Sequence, residues 1–149
     1  MSRKTFTNDF TINNASRYYD LPIPIGEVSA TDTKKIFITP NAVQDGVEYE
    51  FVSFSLVTET GITAHDTNYW SIMISNLTDT LDLLADAVTT KATGGTAIVA
   101  DIPWIITPDQ NKTTGANKVI EITLTKAASA TTMEEVTLLV HYRVKGRFE

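Results

Sequence analysis

The sequence predicts an all-β protein: an antiparallel two-sheet β-sandwich, jelly-roll topology favoured, with an extended N-terminal arm. Three observations predict it. About eight short segments of extended pattern recur along the chain, with turns between them. Threonine supplies 24 of the 149 residues, and its β-branched shape favours strands. No segment is long enough to be a crossover helix between every strand pair, which argues against a parallel α/β sheet. The proline-broken early and middle segments suit corners where a chain passes between sheets, and the lack of cysteine rules out an antibody-type core.

Residues 1–17 read as an arm, and 18–149 as a single sandwich domain. In the arm Phe6, Phe10 and Ile12 punctuate an Asn/Thr-rich texture, with a weak period of two through Phe6, Asn8, Phe10 and Ile12. Tyr18 to Gly26 is extended, because Pro22 and Pro24 fix φ and restrict the residues before them. The same prolines confine it to a sheet edge or a crossing segment. Lys35–Thr39 is a short strand, stopped by Pro40, and Val43–Val47 is a turn containing Asp45-Gly46.

The stretch from Glu48 to Asn76 reads as a central hairpin with a polar loop. Its first strand places Glu50, Val52, Phe54 and Leu56 on one face and Tyr49, Phe51, Ser53, Ser55 and Val57 on the other. Its second aligns Trp70, Ile72 and Ile74, with Trp70 the natural centre of the core. From Leu77 to Val88 a helical period competes with a strand period; the surrounding threonines favour strand or irregular structure with one possible helical turn. Lys91–Thr96 is a turn, Ala97–Ala100 resumes β texture, and Asp101–Pro108 is a proline-bounded extended piece. After a polar loop over Asp109–Lys118, Val119–Thr125 and Val136–Lys145 alternate cleanly and form the last two strands.

Net charge is −6, unevenly spread. Between Ile36 and Thr90 there are eight acids and no Lys or Arg. Nucleic-acid binding needs a basic face, so this balance argues against it. No apolar run approaches the roughly 18–20 residues of a spanning helix, and no apolar core follows Met1–Lys4, so neither a membrane span nor a secretory peptide is expected. Without cysteine there are no disulfides, which fits synthesis in a reducing cytoplasm.

The residues offer little chemistry. His65 beside Asp66 is a poor base–orienter pair, and no serine stands in an elbow motif. His141 fits a surface cross-strand or interface role. Two histidines cannot close a zinc site, and Asp79, Asp82, Asp109 and Asn111 are too sparse for a calcium loop. No enzyme, cofactor or metal is therefore expected. Trp104, with Tyr69, could form a sugar-stacking platform; the plainer reading is that Trp104 covers one end of the core.

The Asn/Thr-rich arm, Asn68-Tyr69-Trp70, Ser75-Asn76-Leu77-Thr78 and the terminal Val-x-Leu-x-Val-x-Tyr-x-Val strand carry a resemblance. Over Tyr18 to Val144 the chain resembles the small jelly-roll decoration, or cement, proteins of tailed bacteriophage virions, and related fibre-base proteins. The resemblance implies a trimer on the outer capsid surface, made in the host cytoplasm, that bridges the major capsid protein or another virion protein and stabilises the shell. The alternative is a carbohydrate- or receptor-binding module of a phage fibre. The expected interface is the arm, through Arg3, Lys4, Phe6, Phe10 and Ile12. Tyr49, Phe51, Val57, Tyr69, Met73 and Leu139, left on mixed strand faces, are expected to add to it.

Overall fold

A computed structural model describes residues 17–41 and 46–146. Ten strands run through them: β1 (Arg17–Val28), β2 (Asp32–Ile38), β3 (Glu48–Val57), β4 (Trp70–Asn76), β5 (Leu81–Asp82), β6 (Val88–Thr89), β7 (Trp104–Ile106), β8 (Thr113–Thr114), β9 (Val119–Lys126) and β10 (Met133–Lys145). They form two antiparallel sheets. One has the order β1-β10-β3-β7, with β8 also on β3; the other runs β2-β9-β4-β5, with β6 also on β4.

That order is a jelly roll. β5 with β6 acts as one interrupted edge strand, and β7 with β8 as another, because each pair shares one partner. The chain then behaves as a long antiparallel ribbon folded at Leu77–Thr80. The outgoing strands β1 to β4 pair in turn with the returning β10, β9, β7/β8 and β5/β6. Pairing of β10 with β3, and of β9 with β4, curls the ribbon into two layers. None of the described residues forms a helix, so the helical period over 77–88 is not used. Leu83 and Leu84 instead drop into the core, between the short strands β5 and β6.

The expected central hairpin is not there. β3 and β4 lie in opposite sheets, and residues 58–69 cross from one to the other. The face assignment of β3 is also corrected. His141 stands opposite Ser53 but Tyr142 opposite Phe51, so Val52 is an extra residue, a β-bulge. It reverses the alternation, and Tyr49, Phe51, Phe54 and Leu56 all turn inward. Tyr49 and Phe51 are therefore core and unavailable to a subunit interface.

Trp70, Ile72 and Ile74 of β4 lie beside Ile120, Ile122 and Leu124 of β9 in the same sheet and join Leu138 and Val140 of β10, from the other sheet, in one buried cluster. Burying such side chains stabilises by roughly 1.5–3 kcal/mol each before entropy is counted. At one end the core becomes aromatic. Phe37 meets Tyr142 at 5.1 Å and Phe51 at 5.9 Å, and Tyr142 stacks on Tyr19 at 5.5 Å.

The prolines of β1 do sit on a sheet edge, where a missing N–H breaks no ladder bond. Further along, the pairing of β1 slips between Pro24 and Val28. Gly26 takes φ 83° there, a left-handed conformation that disfavours any residue with a Cβ.

Candidate interaction surface

Of the residues expected at an interface, Arg3, Lys4, Phe6, Phe10 and Ile12 lie outside the described residues. Arg17, the last residue assigned to the arm, opens β1. β1 then runs along the sheet edge with Tyr18, Tyr19 and Leu21 exposed by 57%, 43% and 39%. Behind them His141 of β10 stacks its ring on Tyr18 at 5.7 Å, and its Nδ1 sits 2.5 Å from Asp20 Oδ1.

One residue pair further along, Arg143 Nε lies 2.6 Å from Glu50 Oε1, with Lys145 Nζ at 3.7 Å from the other oxygen. The Arg143 Nε–H does not point along the line to the oxygen, so the contact is a charge pair rather than an aligned hydrogen bond. Burial pushes the Glu50 carboxyl up. The contact with Arg143 and the positive charges of Arg143, Lys145 and Lys112 outweigh it, holding Glu50 below its ordinary value. This row of aromatic and charged side chains is fixed by neighbours and open to solvent on one side.

Trp104 is half-buried. Its indole Nε1–H donates to Thr96 Oγ1 at 2.8 Å, and its ring lines a groove of about 320 Å³ with Ala87, Val88, Gly95 and Ile105. The groove lies between β6 and the 91–96 turn on one side and β7 on the other, where the edges of the two sheets meet. Gly95 is required there: a Cβ would lie 2.4 Å from the Thr89 carbonyl oxygen. Tyr69 is not part of this groove. Its ring lies under the Lys91 ammonium, 4.6 Å away, so the structure does not gather the two aromatics into one platform.

The polar residues that could suggest catalysis are engaged internally. His65 Nδ1 accepts from the Thr67 and Asn68 backbone N–H groups at 3.0 and 2.9 Å. Asp66 accepts from the Thr93 backbone N–H at 2.7 Å and from its hydroxyl at 3.1 Å, which holds its carboxyl below the usual range. Neighbours in sequence, the two form no dyad. Asp79 pairs with Lys118 at 2.7 Å, Asp82 accepts from Ser75 Oγ at 2.6 Å, and Asp109 accepts from the Ala85 N–H at 2.8 Å. Among the described residues no three His, Asp or Glu side chains are grouped to hold a metal ion.

Sequence reasoning missed a second exposed apolar stretch. Val99, Ile102 and Ile105 are exposed by 56%, 55% and 66%. Their sequence offered no warning, since Trp104-Ile105-Ile106 is a continuous apolar run that conceals which side faces out.

No family model matches the chain, and no curated protein does. Solved structures do. The capsid asymmetric unit of cyanophage Pam1 aligns over 87% of this chain and 83% of that one, at 14% identity and a TM-score of 0.42. Sulfolobus turreted icosahedral virus aligns over 91% of this chain and 31% of its own, at 12% identity and a TM-score of 0.38. The Drosophila NLP core, described for pentamer formation and histone binding, aligns over 91% and 100%, at 12% identity and a TM-score of 0.33. The jelly-roll assignment rests on the strand order given above.

Proposed function

We propose that the chain is a non-enzymatic structural protein of a bacteriophage virion, a homotrimer that decorates the outer capsid surface and braces the shell. The observation that carries this reading is the exposed edge made by the first half of β1, with Tyr18 open on the outer face and Tyr19 and Leu21 open on the inner one. Apolar and aromatic side chains exposed along a sheet edge are the kind of surface that marks a protein contact. The resemblance in residues supplies the three-fold symmetry and the partner, the major capsid protein or another virion protein. Long ladders of β10 with β1 on one side and β3 on the other, broken by local bulges, suit a mechanical role.

Co-expression with the major capsid protein of the phage that encodes the chain tests the reading. The chain sediments with assembled shells, and Tyr18→Asp with Tyr19→Asp releases it while the fold persists. A chain that stays in the supernatant beside intact shells contradicts the proposal.

A second reading, a carbohydrate- or receptor-binding module of a phage fibre, is favoured by one observation, the Trp104 ring on the wall of a groove. Glycan-array binding abolished by Trp104→Ala supports it; no binding across the array counts against it.

A further inference from the structure

The two sheets differ on their outer faces. Residues directly opposite on neighbouring strands share a face, so the pairings set out rows that cross each sheet. In the β1-β10-β3-β7 sheet one row is Pro22, Leu139, Ser55 and Ile105, and the next is Pro24, Thr137 and Val57. Both rows point away from the core, because their strand neighbours Leu138, Val140, Phe54 and Leu56 point into it. Neither row holds a charged group. Leu139 and Val57 are half-buried, and Ile105 is exposed. The other sheet is polar outside, with Lys35, Glu121, Ser75 and Asp82 in one row. An apolar stripe across the middle of one sheet face is surface that packs against something.

Beyond this stripe, at the end away from Arg17, the charge is acidic. The Glu59 N–H donates to the Glu134 carbonyl at 2.9 Å, and the Asp101 N–H donates to the Thr58 carbonyl at 2.9 Å. The Thr60 hydroxyl donates to Glu134 Oε2 at 2.9 Å. These bonds bring Glu59, Asp101 and Glu134 together past Val57. The segments that meet there, 21–28, 55–60, 99–107 and 133–139, contain no Lys or Arg.

The chain's own first residues match this face in pattern, charge and length. Phe6, Asn8, Phe10 and Ile12 share one side at a period of two, and Arg3 and Lys4 precede them. Asn13-Asn14-Ala15-Ser16, directly before β1, is rich in residues that favour turns. We propose that residues 1–16 turn back over the outer face of their own sheet. Phe6 and Phe10 then sit on the stripe between Leu139 and Val57, and Arg3 and Lys4 meet Glu59, Asp101 and Glu134.

The lengths agree. With 13–16 as the turn, Ile12 to Arg3 extends about 30 Å, and β1 from Tyr18 to Val28 covers about 33 Å. The cations therefore come level with the acidic end. The Leu139 row lies five residues along β10 from Val144, the partner of Arg17, or about 17 Å. Phe10 is seven residues from Arg17 and spans up to about 25 Å, so it reaches that row. The same chain is the occupant because the segment begins at the edge of this sheet and every target lies within its length. The proposal stands whether or not copies associate. It leaves the other side of the segment, with Thr5, Thr7, Asp9 and Thr11, facing outward beside β1.

The chain has no cysteine, so one introduced thiol reports its own protection. Maleimide labelling of the full chain carrying Val57→Cys is compared with that of the same chain also carrying Phe6→Asp and Phe10→Asp. Labelling should be at least tenfold faster once the two aromatics are replaced, with the circular dichroism unchanged. Thr123→Cys, half-buried on the outer face of the other sheet, should label equally fast in both backgrounds. Equal rates for Val57→Cys, or the same acceleration at Thr123→Cys, overturn the proposal. To separate own chain from neighbour, the Val57→Cys chain with both Asp substitutions is co-expressed with chains that keep the natural segment and carry no thiol. Labelling should stay fast. Protection restored in the mixture would assign the face to a neighbouring copy and overturn the proposal.

Discussion

The indole Nε1–H of Trp70 donates to the carbonyl oxygen of Thr131 at 2.7 Å. Trp70 opens β4 in one sheet, and Thr131 lies in the connection by which β9 passes to β10 in the other. The side chain at the centre of the core thus also pins the corner where the chain changes layers. Trp70→Ala removes both roles and is expected to cost about 3–5 kcal/mol, while Trp70→Phe keeps much of the packing and costs less. Urea unfolding of the two variants checks the order.

Thr90 is fully buried, and its hydroxyl accepts the Trp70 backbone N–H at 2.9 Å while its own N–H donates to the Trp70 carbonyl at 3.0 Å. Thr90→Val keeps the shape and removes the acceptor. The orphaned N–H should destabilise by about 1–3 kcal/mol, read as a lower urea midpoint at unchanged slope.

The bulge at Val52 predicts a contrast between deletion and substitution. Val52→Thr should change stability by no more than about 0.5 kcal/mol, because the residue is half-exposed. Deleting Val52 removes the extra residue and leaves Tyr49, Phe51, Phe54 and Leu56 in strict alternation, all still facing inward. A large apolar side chain lost from the core costs roughly 1.5–3 kcal/mol, so Phe54→Ala should lower the midpoint far more than the deletion. Comparing the two midpoints is the check.

Acid should destabilise the fold through specific carboxylates. Asp79 is held below its ordinary value of 3.8 chiefly by the Lys118 hydrogen bond, and Glu50 lies below 4.5 despite burial because of Arg143. A carboxyl depressed in the folded state contributes stability above its unfolded value and loses it as pH falls through the folded one. Melting temperature should therefore drop below about pH 4.5, and less steeply in Asp79→Asn combined with Glu50→Gln. Equal slopes in parent and variant would contradict these assignments.

Much of the architecture was legible because it is local. Pro22 and Pro24 confined β1 to an edge or a crossing segment, and it is an edge; the alternation through Trp70, Ile72 and Ile74 identified the face that is buried. What failed was non-local. Nothing in 48–76 states that β3 and β4 belong to different layers, because alternation records which face is buried and not which strand lies beside it. The bulge at Val52 was invisible for the same reason, since an extra residue shows only against the register of β10. At the surface, Trp104 and Tyr69 looked equivalent in sequence. Thr96 and Lys91, which decide what each ring faces, reach them through loop geometry.

Light scattering of the full chain at micromolar concentration tests the central claim, that the protein works as a self-assembled structural unit. The account predicts the mass of three 16.4 kDa chains, falling to one when residues 1–16 are removed. A parent protein that runs as a single 16.4 kDa chain would contradict it.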